Sequence, residues 1–378
     1  MEDFMALLSG FGNSVFAFLV LLAIIVAIHE LGHYYAGRAF GMSVDCFSLG
    51  FGPEIFSRTD KKGMVWRIAA FPLGGYVKFT GDEDATSFNT GDEIPQNEAQ
   101  KNWLHFRPLW QRAIVIAAGP IANFLLAIFI FSFSLMFFGK TILLPYVDNV
   151  VENSAAARAG LQKHDLITHI DGKEIESFTD LQRVVSISAG KTLLVRLKRD
   201  NQDVDVTLIP EMVEITDRFG APLRIGRIGI SRLSTADAVI TQRLDPFEAV
   251  QQGVLETAFL IERSYHFIIE LITGAQSIKQ LGGPVKIAEI SGVAADSGVL
   301  PFVTMIALIS ISIGFFNLLP IPPLDGGHLL FYAIEAITRK PVHHSVKDIG
   351  FKIGFVAMIS IMLFATWNDI TSLYERLL

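Results

Sequence analysis

Cysteine is nearly absent. Cys46 is the only one among 378 residues, which excludes an intrachain disulfide and a metal site built from several thiolates. Charge is scarce as well: 18% of residues are charged, against roughly 25% in ordinary soluble domains. A basic excess is also missing. Lys and Arg number 31 against 38 Asp and Glu, a formal net charge of -7, so no positive field draws nucleic acid phosphates, and nucleic acid is excluded as a partner. What the chain has in quantity is apolar surface. Hydrophobic residues make up 51%, with 30 Phe and a mean hydropathy of +0.43, and the lipid bilayer is the solvent that suits such a composition.

A hydrocarbon core about 30 Å thick needs about 20 mostly apolar residues in a helix, because each backbone amide must be satisfied without water. Four segments meet this demand. The first runs over about 11–36, is apolar without a break from Val15 to Ile28, and ends in the polar group His29, Glu30 and His33. The second, 113–138, carries no charge. The third, 302–337, is broken at Pro320, Pro322 and Pro323 and resumes at Gly327. The fourth covers about 349–367, with Lys352 able to snorkel towards headgroups. The N-terminus has Glu2 and Asp3 but no early Lys or Arg, unlike a cleaved signal peptide.

Positive charge flanks one side of these spans: Arg38, Arg107 and Arg112, then Arg339, Lys340 and Lys347. The positive-inside rule makes those loops cytoplasmic and sends both termini, and the long segment from Gly139 to Pro301, outwards. The expected fold class is therefore a polytopic α-helical membrane protein with four transmembrane helices and an inserted outer α/β domain. Its parts are a first membrane section over 1–138, an outer domain over 139–231, amphipathic surface helices over 232–301, and a second membrane section over 302–378.

In the outer domain, strands are expected at Val147–Val151, Leu166–Ile170, Thr192–Leu197 and Val204–Ile209. A helical turn is expected at Ala155–Gly160 and a helix at Thr179–Ser188. The stretch "NSAAARAGLQKHDLITHIDGKEI" resembles a PDZ domain of the bacterial protease type, with His164 where glycine is more usual. Charges interrupt the apolar pattern of 245–298, so it reads as one or two amphipathic helices joined through Gly282, Gly283 and Pro284. On the cytoplasmic side, 44–79 reads as short strands with glycine turns at Gly50, Gly52, Gly74 and Gly75, a hairpin or re-entrant loop whose free edge suits an extended peptide. The acidic stretch 81–100 reads as a solvated loop, and His343 and His344 as surface residues.

The chemistry lies in His29, Glu30, Leu31, Gly32 and His33, the pattern HExxH. On a helix the two histidines stand one turn apart on one face, a spacing that suits one tetrahedral zinc, with Glu30 placed to act on a water. Two His and a Glu at the end of an apolar span are costly in lipid and point to function. A catalytic zinc wants a third protein ligand and an open position. Asp325 is the best candidate, because the prolines and glycines from Asn317 to Gly327 open the third span, and both spans reach a similar depth from the outer side. A helix N-cap is the structural alternative for Asp325, and interhelical hydrogen bonding is the alternative for Asn317. Pro120 and Asn123 read as packing residues of the second span.

HExxH, then "AGPIANF" at Ala118 to Phe124, then Asn-Leu-Leu-Pro-Ile-Pro-Pro-Leu-Asp-Gly-Gly at Asn317 to Gly327 occur in this order. With them the chain resembles the site-2 protease family of intramembrane zinc metalloproteases, most closely its bacterial RseP group, over nearly its whole length. The resemblance implies one zinc per chain held by His29, His33 and Asp325, Glu30 as general base, and Asn317 holding substrate or transition state. It also implies a bacterial inner-membrane location with a periplasmic PDZ domain. The substrates it implies are single-span membrane proteins, such as trimmed anti-sigma factors and remnant signal peptides, and the PDZ groove would take a C-terminal peptide. A non-catalytic membrane adaptor displaying the PDZ domain is the rival from another class. A metal transporter is the third reading; it calls for further ionisable residues in the second and fourth spans, which have none near mid-depth.

Overall fold

The computed structural model describes residues 2–61, 63–81, 102–216, 222–232, 239–274 and 282–377. The acidic stretch over 82–100 lies outside them, as does the side chain of His344. The chain divides into two compact units, Met1–Ser132 with Val250–Leu378, and Phe133–Ala249.

The first unit is helical. Its long helices are α1 (Glu2–Ala39), α2 (Leu109–Phe137), α7 (Val299–Asn317) and α9 (His344–Leu377). Each contains a stretch long and apolar enough to cross a membrane. A shorter helix, α8 (Asp325–Thr338), follows α7 after the break over 318–324, where the Pro322–Pro323 peptide is cis. Helices α1, α2 and α7 share a core of Leu21, Ile25, Ala127, Ile130, Ile306, Ala307 and Ile311. Away from that core the large side chains remain apolar where they are exposed, as at Phe129 on α2 and at Ile353, Phe355, Val356 and Leu363 on α9. Apolar side chains facing outwards are what hydrocarbon solvates and water does not.

Ahead of α7 in the chain come α5 (Pro246–Thr273) and α6 (Pro284–Asp296), with Gly283 as the N-cap of α6. Leu260 and Ile261 of α5 pack against the α1–α2–α7 core. The N-terminus of α6 is satisfied by α9: the buried Asp369 carboxylate accepts from the Gly283 and Lys286 backbone N–H groups at 3.0 and 2.9 Å.

At the other end of the helices, the buried Glu335 of α8 accepts from Arg112 of α2 at 3.3 Å and from Lys347 of α9 at 3.2 Å. Arg112 also lies over the Tyr332 ring, 4.9 Å from its centroid. In sequence these two cations read as positive charges flanking the spans in cytoplasmic loops. In the fold they close an ion cluster that ties three helices together.

After α1 the chain forms β1 (Val44–Thr59) and β2 (Val65–Phe79), two long strands in place of several short ones. Strand β1 turns at Gly50 and Gly52, whose φ values of +90° and +88° suit glycine. Its first part, Val44–Leu49, pairs with Gly75–Phe79, and its last part, Phe56–Thr59, pairs with Val65–Ile68. Cys46–Leu49 also lies beside Val65–Ile68. Two bent strands thus form four side-by-side segments with 56–59 and 75–79 outermost. Gly74 and Gly75 do not form the expected turn; they lie inside β2. A side chain at Gly75 would strike the Ser48 carbonyl, Val26 and Glu30, so close approach to α1 explains the glycine.

The second unit contains a four-stranded sheet, ordered β6 (Lys173–Glu174), β5 (Leu166–Ile170), β7 (Leu193–Arg199) and β8 (Gln202–Leu208). Helix α3 (Ala155–Arg158) is capped by Ser154, and α4 (Phe178–Ser186) by Ser177. Val147, Ile167, Ile170, Leu181, Val195 and Leu197 lie in its core. The expected strand at Val147–Val151 is shorter, β4 (Asn149–Val150), and pairs with β11 (Ile230–Ser231). Strands β9 (Glu211–Thr216) and β10 (Pro222–Arg227) form a separate hairpin. His164 adopts φ +74°, the left-handed conformation that makes glycine usual there, at a cost of about 1 kcal/mol.

One boundary is corrected. Residues expected to begin the amphipathic helices include β12 (Val239–Gln242), which pairs antiparallel with β3 (Lys140–Leu143). A returning strand closes this unit beside the strand that opens it, so the helical part starts at Pro246.

Candidate metal centre

Helix α1 sets the first two candidate ligands. His29 and His33 are separated by one turn, and His29, Glu30 and His33 are all buried. Their close packing on α2 depends on small residues. A side chain at Gly32 would collide with Ala118 and Ala122, and one at Gly119 would collide with both imidazoles. The α2 backbone therefore runs directly beneath the rings.

Asp325 arrives from the broken span as the first residue of α8. Residue Leu324 occupies the N-cap position and makes no side-chain cap. Side chains at Gly326 and Gly327 would collide with the backbone of the break, so these glycines let it fold tightly against the start of α8. The carboxylate is turned to the imidazoles: His29 Nε2 lies 3.1 Å from Asp325 Oδ2 and His33 Nε2 lies 3.6 Å from Asp325 Oδ1. The two Nε2 atoms are 3.1 Å apart.

These separations test the fit to a metal. Ligands at about 2.0–2.2 Å around a tetrahedral zinc stand roughly 3.3–3.5 Å from one another. The three residues offer ligand atoms that all lie within 4.8 Å of one another. His33 Nδ1 is 2.8 Å from the Val115 carbonyl, so it carries the proton and donates it there, leaving the Nε2 lone pair free. Asp325 Oδ2 is buried without a hydrogen-bond partner although His29 Nε2 is near. A bare lone pair, a second imidazole edge and an unpartnered carboxylate oxygen converge on one point. A cation satisfies all three, and the donor set of two nitrogens and one oxygen suits zinc.

Glu30 follows His29 on α1 and is covered by the hairpin, with Gly75 and the Val77 backbone facing it. It has no place among the converging ligand atoms. Asn317 ends α7, half-buried, and among the described residues makes no hydrogen bond to His29, His33 or Asp325. The geometry thus brings together His29, His33 and Asp325 and sets Glu30 beside them, and among the described residues Asn317 makes no hydrogen bond to any of the three ligands.

Sequence reasoning overlooked Asn123. Read there as a packing residue, it is fully buried, and its Nδ2 lies 3.3 Å from His29 Nδ1. The signal was present in its spacing: Gly119 and Asn123 are one helical turn apart, so the residue that makes room for the imidazoles shares a face with a polar side chain. Ser310 of α7 donates to the Asn123 backbone carbonyl at 2.9 Å. His343 supports its own loop, accepting from the Ser345 N–H at 3.3 Å.

A family model described as Peptidase family M50 matches residues 17–361. A relative from Agrobacterium fabrum, provisionally named a zinc metalloprotease, is 42% identical over 375 residues, covering 99% of this chain and all of its own. "Metalloprotease MmpA" of Caulobacter vibrioides is 35% identical over 386 residues, covering 96% of each chain. A solved PDZ domain of an SdrC-like protein from Listeria monocytogenes aligns with 23% of this chain and 83% of its own at 26% identity, with a TM-score of 0.18.

Proposed function

Because this chain belongs to peptidase family M50 and is a zinc metalloprotease, we propose that it cleaves single-span membrane proteins within or near their transmembrane segment. The observation that carries the reading is the convergence of His29, His33 and Asp325 beside Glu30, on helices whose outward faces are apolar. A hydrolytic site on such helices has membrane segments as its nearest peptide substrates.

Zinc, when bound, supplies a Lewis acid that acidifies water and polarises a carbonyl. His29, His33 and Asp325 hold it. Glu30 accepts the proton of the attacking water and returns it to the leaving amine, so that one carboxyl serves as base and then acid. Neither imidazole is free for that work, because each is committed through Nε2. Asn317, at the end of α7, lies on the route into the broken span and suits a role in holding the substrate.

A helical substrate must be unwound before water can reach its backbone. The outer segment Gly75–Phe79 lies next to Glu30 and, among the described residues, pairs with no strand on its outer side, so an extended peptide added there would run past the base.

In orientation, the loops carrying Arg38, Arg107, Arg339 and Lys340 are cytoplasmic, and both termini and the second unit lie in the periplasm, with the helices in the bacterial inner membrane. Arg112 and Lys347 lend this less support, since each is paired with Glu335. The second unit acts as a PDZ domain that takes a C-terminal peptide, a reading supported by its Ala-Gly-Leu and Asp-Gly turns in strand and helix order. Candidate substrates are anti-sigma factors already trimmed outside and remnant signal peptides.

The deciding experiment measures zinc content and cleavage of a single-span substrate for wild type and Glu30→Gln. The variant should keep its zinc and lose at least about 100-fold in rate, the lower range for general acid–base catalysis. Cleavage by Glu30→Gln at the wild-type rate would remove the peptidase mechanism and favour the adaptor reading, which assigns Glu30 no chemistry.

A further inference from the structure

The contact between Asn123 and His29 has a consequence for metal binding. Asn123 Nδ2 faces His29 Nδ1 at 3.3 Å, while Asn123 Oδ1 is buried with no partner. Oxygen and nitrogen of an amide are exchangeable assignments, decided by the hydrogen bonds around them. A histidine that ligates through Nε2 carries its proton on Nδ1 and needs an acceptor there. Among the described residues, Asn123 is the side chain at hydrogen-bonding distance from that atom. His33 already has its own acceptor in the Val115 carbonyl.

We infer that Asn123 is a positioning residue for the metal centre, whose amide oxygen accepts the His29 Nδ1 proton and so fixes the tautomer and ring angle that present Nε2 to zinc. An amide suits this place because it serves both tautomers. With the nitrogen forward it donates to a bare Nδ1, and with the oxygen forward it accepts from Nδ1–H. The side chain is fully buried, so water cannot take over either role. Its backbone is held in turn by the Ser310 hydroxyl, which fixes the height of the amide on α2. Thus α7, which leads into the break before Asp325, also steadies the partner of His29. The inference rests on the zinc reading of His29, His33 and Asp325.

The test titrates metal-free full-length protein in detergent with zinc against a chelator of known affinity, for wild type, Asn123→Asp and Asn123→Leu. Aspartate keeps an acceptor in the same volume, so its affinity should match or exceed that of wild type. Leucine keeps the volume and removes the acceptor, so affinity should fall about 10- to 100-fold, the usual loss for such partners. Asn123→Ala removes the acceptor without bulk and should show the same fall if leucine disturbs packing. The visible spectrum of the Co(II)-loaded proteins should change for leucine and not for aspartate, a difference that a packing role alone does not produce. Wild-type affinity in both the leucine and alanine variants, or an equal loss in aspartate and leucine, overturns the role of Asn123 alone. Failure of wild type to bind one zinc removes the metal-centre reading and this inference with it.

Discussion

Gly119→Ala adds one methyl group where α2 passes beneath the proposed zinc ligands His29 and His33. The new Cβ would press on His33 Nε2 and Cε1 and on His29 Cε1. Overpacking of this kind typically costs about 1–3 kcal/mol. Where the cost falls is set by what can move. The α2 backbone is locked by the Gly32 contact with Ala118 and Ala122, whereas each ring can tilt about its Nδ1 hydrogen bond when no metal holds Nε2. The penalty therefore falls on the metal-bound geometry, and at 1.4 kcal/mol per tenfold it weakens zinc binding about 5- to 150-fold. Metal-free stability should hold, because alanine in a helix gains about 0.8–1.0 kcal/mol over glycine. The assay is thermal unfolding in detergent with and without zinc. At a zinc concentration 100 times the wild-type Kd, binding stabilises wild type by about 2.7 kcal/mol, and a variant 100-fold weaker gains only about 0.4 kcal/mol. An unchanged zinc-induced rise in Tm for Gly119→Ala would refute the claim that the ligand positions depend on this glycine.

Two further outcomes test the scaffold. Asp369→Ala removes the acceptor for the first turn of α6 and should lower stability by about 0.5–2 kcal/mol, with faster amide exchange over 284–296 by mass spectrometry and little change elsewhere. Glu335→Ala leaves Arg112 and Lys347 without their shared carboxylate in a buried setting. It should cost about 3–5 kcal/mol, read as a fall in Tm, while Glu335→Gln, which keeps an acceptor, should lose less.

Legibility followed the range of the interactions. The four apolar helices and the pairing of His29 with His33 depend on periodicity within one segment, and both could be read directly. Asp325 was legible because three prolines and two glycines mark a break that only a buried or solvated backbone could tolerate. Contacts between distant segments were another matter. Arg112 and Glu335 are 223 residues apart, and nothing local to Arg112 distinguishes a flanking charge from one side of a buried cluster. The bent hairpin likewise shows one strand where local turn signals suggested two, since Gly74 and Gly75 serve a tertiary approach to Glu30 instead of a reversal. Strand β12 was lost to the same cause: four residues whose partner lies about a hundred positions earlier look like the start of whatever follows them.

Asn123 shows why a polar centre can be built among apolar helices at all. Between helices in lipid the hydrophobic drive is weak, and association rests on close packing of small residues and on interhelical hydrogen bonds. Both devices occur at the same level here. Gly32 and Gly119 let α1 and α2 touch, Gly314 brings α7 against Pro120 and Asn123, and Ser310 adds its hydrogen bond to the Asn123 carbonyl. These contacts bring the backbones together where His29 and His33 meet Asp325, and they leave Asp325 Oδ2 buried beside His29 Nε2 without a hydrogen-bond partner. The packing that shapes the centre thus leaves a buried acceptor for a cation to satisfy, which couples zinc binding to the cohesion of α1, α2, α7 and α8.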